Sequence, residues 1–168
     1  MVLWGAVLAG LALTAPTVRA QQDEGADTPH FEAGLNPLFL PLGALSAEAQ
    51  WYVTPGMALG LYVFSWEPPL VDNVSVQILQ PYLGVYSADF DDAWFGRLGQ
   101  ILMTVQSGPI TGELQATSLG GGYRWLWPGG FSLHLGWEFA FGGSVRLAGR
   151  EYSPNSFNMG ILRMGHTF

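Results

Sequence analysis

Five ionisable residues stand where alternating segments carry their small or polar side: Glu48 in ALSAEAQWY, Arg124 in LQATSLGGGYRWLW, His134 and Glu138 in GFSLHLGWEFAFG, and Arg163 in SFNMGILRMGHTF. A histidine and a carboxylate are the raw material of acid–base and nucleophilic catalysis, in which the imidazole activates a serine or a water and the carboxylate orients it. His134 and Glu138 lie four residues apart on one strand face, roughly 13 Å, far beyond the ~3 Å of a hydrogen bond. The other two histidines, His30 and His166, fall near the two ends of the body of the chain. With no cysteine there is neither a disulfide framework nor a thiolate metal site. No nucleotide-binding fingerprint or metal-ligand cluster is present. The expectation is no catalytic residue, no metal and no cofactor.

The elements that must position these residues are strands. After a polar, acidic lead-in (21–29) the chain runs in segments of about 10 residues or more, alternating apolar and small or polar, with no sustained helical stripe. In GFSLHLGWEFAFG, Phe131, Leu133, Leu135, Trp137, Phe139 and Phe141 alternate with Ser132, His134, Gly136, Glu138 and Ala140. The turn signals VTPG (53–56) and WPGG (127–130) suit tight hairpins. In ALSAEAQWY, Leu45, Ala47, Ala49 and Trp51 oppose Ser46, Glu48 and Gln50; in MALGLYVFSW, Leu59, Leu61 and Val63 oppose Gly60 and Tyr62. In NVSVQILQPYLGVYS the apolar phase changes after Gln80 and Pro81, which predicts a bulge. GQILMTVQ sets Ile101, Met103 and Val105 against Gln100, Thr104 and Gln106, with Leu102 out of phase. A loop is expected over 142–155, carrying Arg146, Arg150, Glu151 and Pro154. Seven segments are well marked, HFEAGLNPLFL supplies a first, and a barrel of eight antiparallel strands follows.

Composition decides which face is wet. Hydrophobic residues are 49% of the chain and charged residues only 11%, against roughly 25% charged in ordinary soluble proteins. A soluble barrel would have to show water an exterior of Gly120, Gly122, Gly136, Ser118, Ser132 and Ala140, which shields backbone poorly. Turned the other way, aliphatic and aromatic side chains meet lipid, and closure satisfies every backbone polar group. Trp51, Tyr123, Trp125, Trp127 and Phe131 then gather beside the tight turns, and Phe139, Phe141 and Phe157 at the opposite end, as an aromatic girdle. Glu48, Arg124, Glu138 and Arg163 point into the lumen with His134, and Glu113 sits near a rim. An enclosed charge needs an opposite one, so Arg124 and Arg163 are expected to pair with Glu48 and Glu138. The net charge of -7, with no lysine, argues against a nucleic-acid partner. At the N-terminus, an apolar run followed by Pro16, Val18 and Ala20 reads as an export signal over 1–20, leaving a barrel over 30–168.

Together these segments resemble the small eight-stranded outer-membrane β-barrel family of Gram-negative bacteria, the OmpA- and OmpX-type barrels. GGGYRWLWPGGFSLHLGWEFAFGG resembles a central hairpin of that superfamily. LRMGHTF resembles its C-terminal assembly signal, with Leu162, Met164, His166 and Phe168 at alternate places and His166 where an aromatic is commoner. The resemblance implies an all-β, up-and-down transmembrane barrel in the outer membrane, inserted by the barrel assembly machinery, with both termini periplasmic. It implies outer loops at EPPLVDN, SGPITG and 142–155, whose Glu67, Asp72, Arg146 and Arg150 could meet lipopolysaccharide. The role expected is structural or surface-interacting, in a monomer whose lumen is plugged by its charges. The alternatives are a lipid A-modifying barrel enzyme and a small pore.

Overall fold

The structure, a computed structural model, describes residues 31–69, 73–88, 91–147, 150–152 and 156–168. The expected signal (1–20), the lead-in (21–29), His30 and Asp72 lie outside the described residues. So do Pro154 and the side chains of Arg146, Arg150 and Glu151.

Nine strands follow in order: β1 (Phe31–Leu35), β2 (Ala44–Thr54), β3 (Met57–Trp66), β4 (Val74–Tyr86), β5 (Ala93–Ser107), β6 (Ile110–Leu126), β7 (Phe131–Leu147), β8 (Arg150–Tyr152) and β9 (Ser156–Thr167). Each of the first seven pairs antiparallel with the next, β7 pairs with β9, and β9 returns to β1. Eight strands, β1 to β7 and β9, thus form a closed barrel. Closure removes the free edges that an open sheet would present, except along 156–163 of β9, which β1 does not reach. Among the described residues the short β8 pairs with the end of β7 alone. The stretch expected as a loop from residue 142 is therefore strand as far as Leu147, one arm of a small hairpin.

Both described chain ends share one rim, the terminal end, with the turns at VTPG and WPGG and with the end of β4 and the start of β5. At WPGG the Trp127 N–H donates to the Phe131 carbonyl at 2.9 Å, and Gly129 and Gly130 take φ of 94° and 86°, which suit glycine. At the far end β1 stops early. Where HFEAGLNPLFL was expected to run as one strand, Asn36 caps a 3-10 helix over Pro37–Leu42, its side chain accepting from Leu38 N–H at 3.1 Å. Pro37 and Pro41 cannot donate to a ladder, which is why the strand ends there.

Alternation places the faces. Leu59, Leu135, Trp137 and Phe139 are exposed on the outside, while Ser132, His134, Glu138 and Ala140 are buried within. Two expectations are corrected. β4 pairs with β3 without interruption through Pro81, so no bulge lies there; register shifts occur at Tyr52/Thr54 and Gln115/Thr117. The change of phase has another cause: the far half of the lumen is apolar. Ile101, Ala116 and Ala140 form a buried cluster, with Ile78, Met103, Phe157 and Met159 packed against it. Ile101 and Met103 therefore face inward, and so does Phe157, which is not part of an outer aromatic ring.

Candidate functional site: the ion-paired lumen

The polar half of the lumen lies toward the terminal end and draws on all eight barrel strands. Three acids, Glu32, Glu48 and Glu138, and three arginines, Arg97, Arg124 and Arg163, are buried with His134. Glycines on neighbouring strands make room for the large groups. A Cβ on Gly120 would lie 3.0 Å from the Glu138 Cβ, and one on Gly34 would lie 2.8 Å from the Arg163 Cγ. One on Gly60 would run into the Tyr82 ring. The glycines of these strands are thus the complement of a crowded polar interior.

Arg163 of β9 bridges Glu32 of β1 and Glu48 of β2. Arg97 of β5 bridges Glu48 at 3.3 Å and Glu138 of β7 at 2.6 Å. Hydroxyls and amides complete the acceptors. Tyr52 and Ser132 each donate to Glu32 at 2.6 Å, Tyr82 donates to Glu48, and the Gln80 amide nitrogen donates to Glu138 at 2.6 Å and to Ser118 at 3.0 Å. His134 Nε2 lies 2.9 Å from Glu32 Oε1 and also beside the Arg163 guanidinium. Buried charges survive best when paired and hydrogen-bonded, and Glu32, Glu48 and Glu138 with Arg97 and Arg163 are each ion-paired and hydrogen-bonded.

Of the expected network, Glu48, His134, Glu138 and Arg163 are brought together. The expected pairing is half right: Arg163 takes Glu48, but Arg124 takes neither Glu48 nor Glu138. Among the described residues no carboxylate contacts Arg124. Its guanidinium donates to the Tyr52 hydroxyl at 2.7 Å and to the Asp91 carbonyl at 2.8 Å, and stacks 4.6 Å from the Tyr86 ring centroid. The link from Arg124 to Glu32 passes through the Tyr52 hydroxyl, which accepts from one and donates to the other. Sequence reading missed Arg97 and Glu32. The register FGRLGQ, with Arg97 two residues before the inward Gly99, carried the signal for the first; Glu32, in the shortest strand, had almost no alternation to read.

Chemically, Ser132 and His134 both turn to the Glu32 carboxylate, so the serine hydroxyl is held by the acid and not by the imidazole. All three are buried. Among the described residues no group of three His, Asp or Glu side chains is arranged to hold a metal ion.

On the outside, Trp51, Trp127 and Phe131 are exposed at the terminal end, with Tyr123 and Trp125 beside them. Trp94, overlooked in the sequence, joins them, stacking edge-on with Tyr123 at 5.1 Å, and Tyr123 with Trp125 at 4.9 Å. Phe141 is exposed ten residues up β7 from Phe131, toward the far end. Leu162, Met164, His166 and Phe168 share the outer face of β9, with Phe168 packed against Phe31 at 6.3 Å and against His166 at 4.7 Å.

Fold and site define a closed eight-stranded antiparallel β-barrel with an ion-paired interior and an apolar, aromatic-rimmed exterior. No family model, curated protein or solved structure matches the chain.

Proposed function

We propose that this chain is an integral outer-membrane β-barrel of a Gram-negative bacterium, monomeric, with a structural or surface-interaction role and a lumen closed by its own side chains. One observation carries the reading: the barrel is inside-out. Trp51, Trp94 and Trp137 are 63%, 67% and 66% exposed, whereas Glu32, Arg124 and Glu138 are fully buried. In water that arrangement strips charge from the surface where it aids solubility and encloses it where it is costly. In a bilayer both features become favourable, with the aromatic rings at the terminal rim set at the headgroup level.

On this reading the partners are outer-membrane lipids and lipopolysaccharide, and the assembly machinery would read the outward face of β9. The filled lumen supports a plug over a pore, because Arg97 reaches across the lumen from β5 to Glu48 of β2, which Arg163 of β9 holds in turn. Fractionation of expressing cells tests the proposal. The barrel is expected in the outer membrane, migrating differently on gels before and after boiling. Recovery as a soluble monomer without detergent would overturn it.

A further inference from the structure

One seam of the barrel wall is not laddered. β9 pairs with β7 from Ser156 to His166, but with β1 only over 164–167. β1 in turn covers β2 only over 47–51. Between residues 156–163 of β9 and 44–46 of β2 no strand intervenes; the 3-10 helix Pro37–Leu42 lies there, against both. At ~3.3 Å per residue the unladdered stretch of β9 is about 26 Å long, and a free edge of that length is not tolerated in hydrocarbon without a cover. The cover is fastened on one side. Asn36 N–H donates to the Ser46 carbonyl at 3.1 Å, Trp66 Nε1 to the Leu42 carbonyl at 3.0 Å, and Phe39 packs edge-on to Phe64 at 5.3 Å. Among the described residues no hydrogen bond joins the helix to β9.

Behind the seam is a cavity of about 30 Å³, room for one or two water-sized groups. Leu35, Gly160 and Leu162 line its wall side; Gln80, Arg97 and Glu138 line its lumen side. Three polar atoms of lining residues, Gln80 Oε1, Arg97 Nε and Arg163 Nε, are buried without a hydrogen-bond partner, although Gln80 and Arg97 are held on Glu138 and Arg163 on Glu48. Gln80 offers a free acceptor and the two arginines free donors, and a hydroxyl, itself donor and acceptor, satisfies one of each. An anionic head is disfavoured, because Arg97 is already committed to Glu48 and Glu138 and Arg163 to Glu32 and Glu48. The outer surface at Gly160, a lining residue, is uncrowded: a Cβ there would meet only Trp137, at 4.0 Å. Leu38, Leu40 and Leu42 of the 3-10 helix are exposed and apolar.

We propose that the seam between β9 and the 3-10 helix is a lateral port, and that the cavity behind it takes the hydroxyl end of a long-chain alcohol whose alkyl chain lies against β9. This rests on the reading that the outer wall faces lipid.

The test uses the barrel refolded into phosphatidylcholine vesicles and two photoreactive probes, a diazirine-bearing 1-dodecanol and the matching dodecane without the hydroxyl. The alcohol is expected to label the 3-10 helix and residues 156–163 in preference to the other strands, in competition with plain 1-dodecanol. Gln80→Leu, which removes the acceptor, should lower that labelling about tenfold, the weight of one hydrogen bond to a buried group. Gly160→Leu, on the outer surface where folding is not at stake, should lower it by closing the port. The alkane should label the apolar wall all round in every variant. An alcohol that labels as evenly as the alkane, or labelling indifferent to both substitutions, overturns the port and leaves the membrane reading standing. An alkane that labels no strand overturns both.

Discussion

Arg97 on β5 and Glu138 on β7 meet at 2.6 Å across the intervening strand β6. The contact is possible because β6 sets only Ser118 and Gly120 beneath it, and Gly120 is the cross-strand partner of Glu138. Glu138 is fully buried and also carries the Gln80 amide. Glu138→Ala would strand a buried guanidinium and should lower unfolding stability by about 3–5 kcal/mol in urea titrations of the micelle-bound barrel. The double variant Arg97→Met with Glu138→Leu should cost clearly less, since it removes both charges together. A double-variant loss as large as the sum of the Arg97 and Glu138 single-variant losses would show that the pair is not coupled.

The two remaining arginines should behave differently from each other. Arg163→Met leaves Glu32 and Glu48 without their shared cation and should cost about 3–5 kcal/mol. Arg124→Met removes hydrogen bonds to a hydroxyl and a carbonyl and should cost about 1–3 kcal/mol. Urea midpoints measured side by side decide it, and an Arg124 loss larger than that of Arg163 would contradict the assignment of partners.

Steric room at the lumen glycines makes a third case. Gly120→Val places a Cβ 2.9 Å from the Trp137 carbonyl and 3.0 Å from the Glu138 Cβ. It should destabilise the barrel by about 1–3 kcal/mol. Gly160→Ala, on the outer face, should stay within about 0.5 kcal/mol of the parent. The same denaturation curves serve for both.

A plugged lumen carries no steady current. Planar-bilayer recordings of the reconstituted barrel are expected to show closed traces under moderate voltage. Steady conductance that Glu138→Gln alters would make the interior a polar path instead of a plug.

The strands and their inner and outer faces were legible where alternation is long and its two sides differ in size, as in β2, β6, β7 and β9. Period-two patterning states a side chain's face directly. It failed where the lumen itself is apolar: Val76, Ile78, Ile101 and Phe157 look like outer-wall residues by type, and only the ring of neighbouring strands shows that they fill the far half of the interior. The identity of ion-pair partners was beyond reach for a related reason. Arg97, Glu138 and Glu48 come together through barrel closure and stagger, which no local spacing encodes. Arg124 found Tyr52 and an Asp91 carbonyl, partners that a search for opposite charges does not propose.

Because the chain has no cysteine, a nitroxide can be placed at single introduced cysteines along 133–140 of β7 in the reconstituted barrel, and its collisions with oxygen and with a water-soluble nickel chelate compared. Labels at Leu133, Leu135, Trp137 and Phe139 should collide freely with oxygen and hardly with the chelate, while those at His134, Gly136, Glu138 and Ala140 should be shielded from oxygen. If the odd positions met the chelate as readily as oxygen, or if the two sets exchanged behaviour, the apolar wall would face water and the inside-out barrel would be wrong.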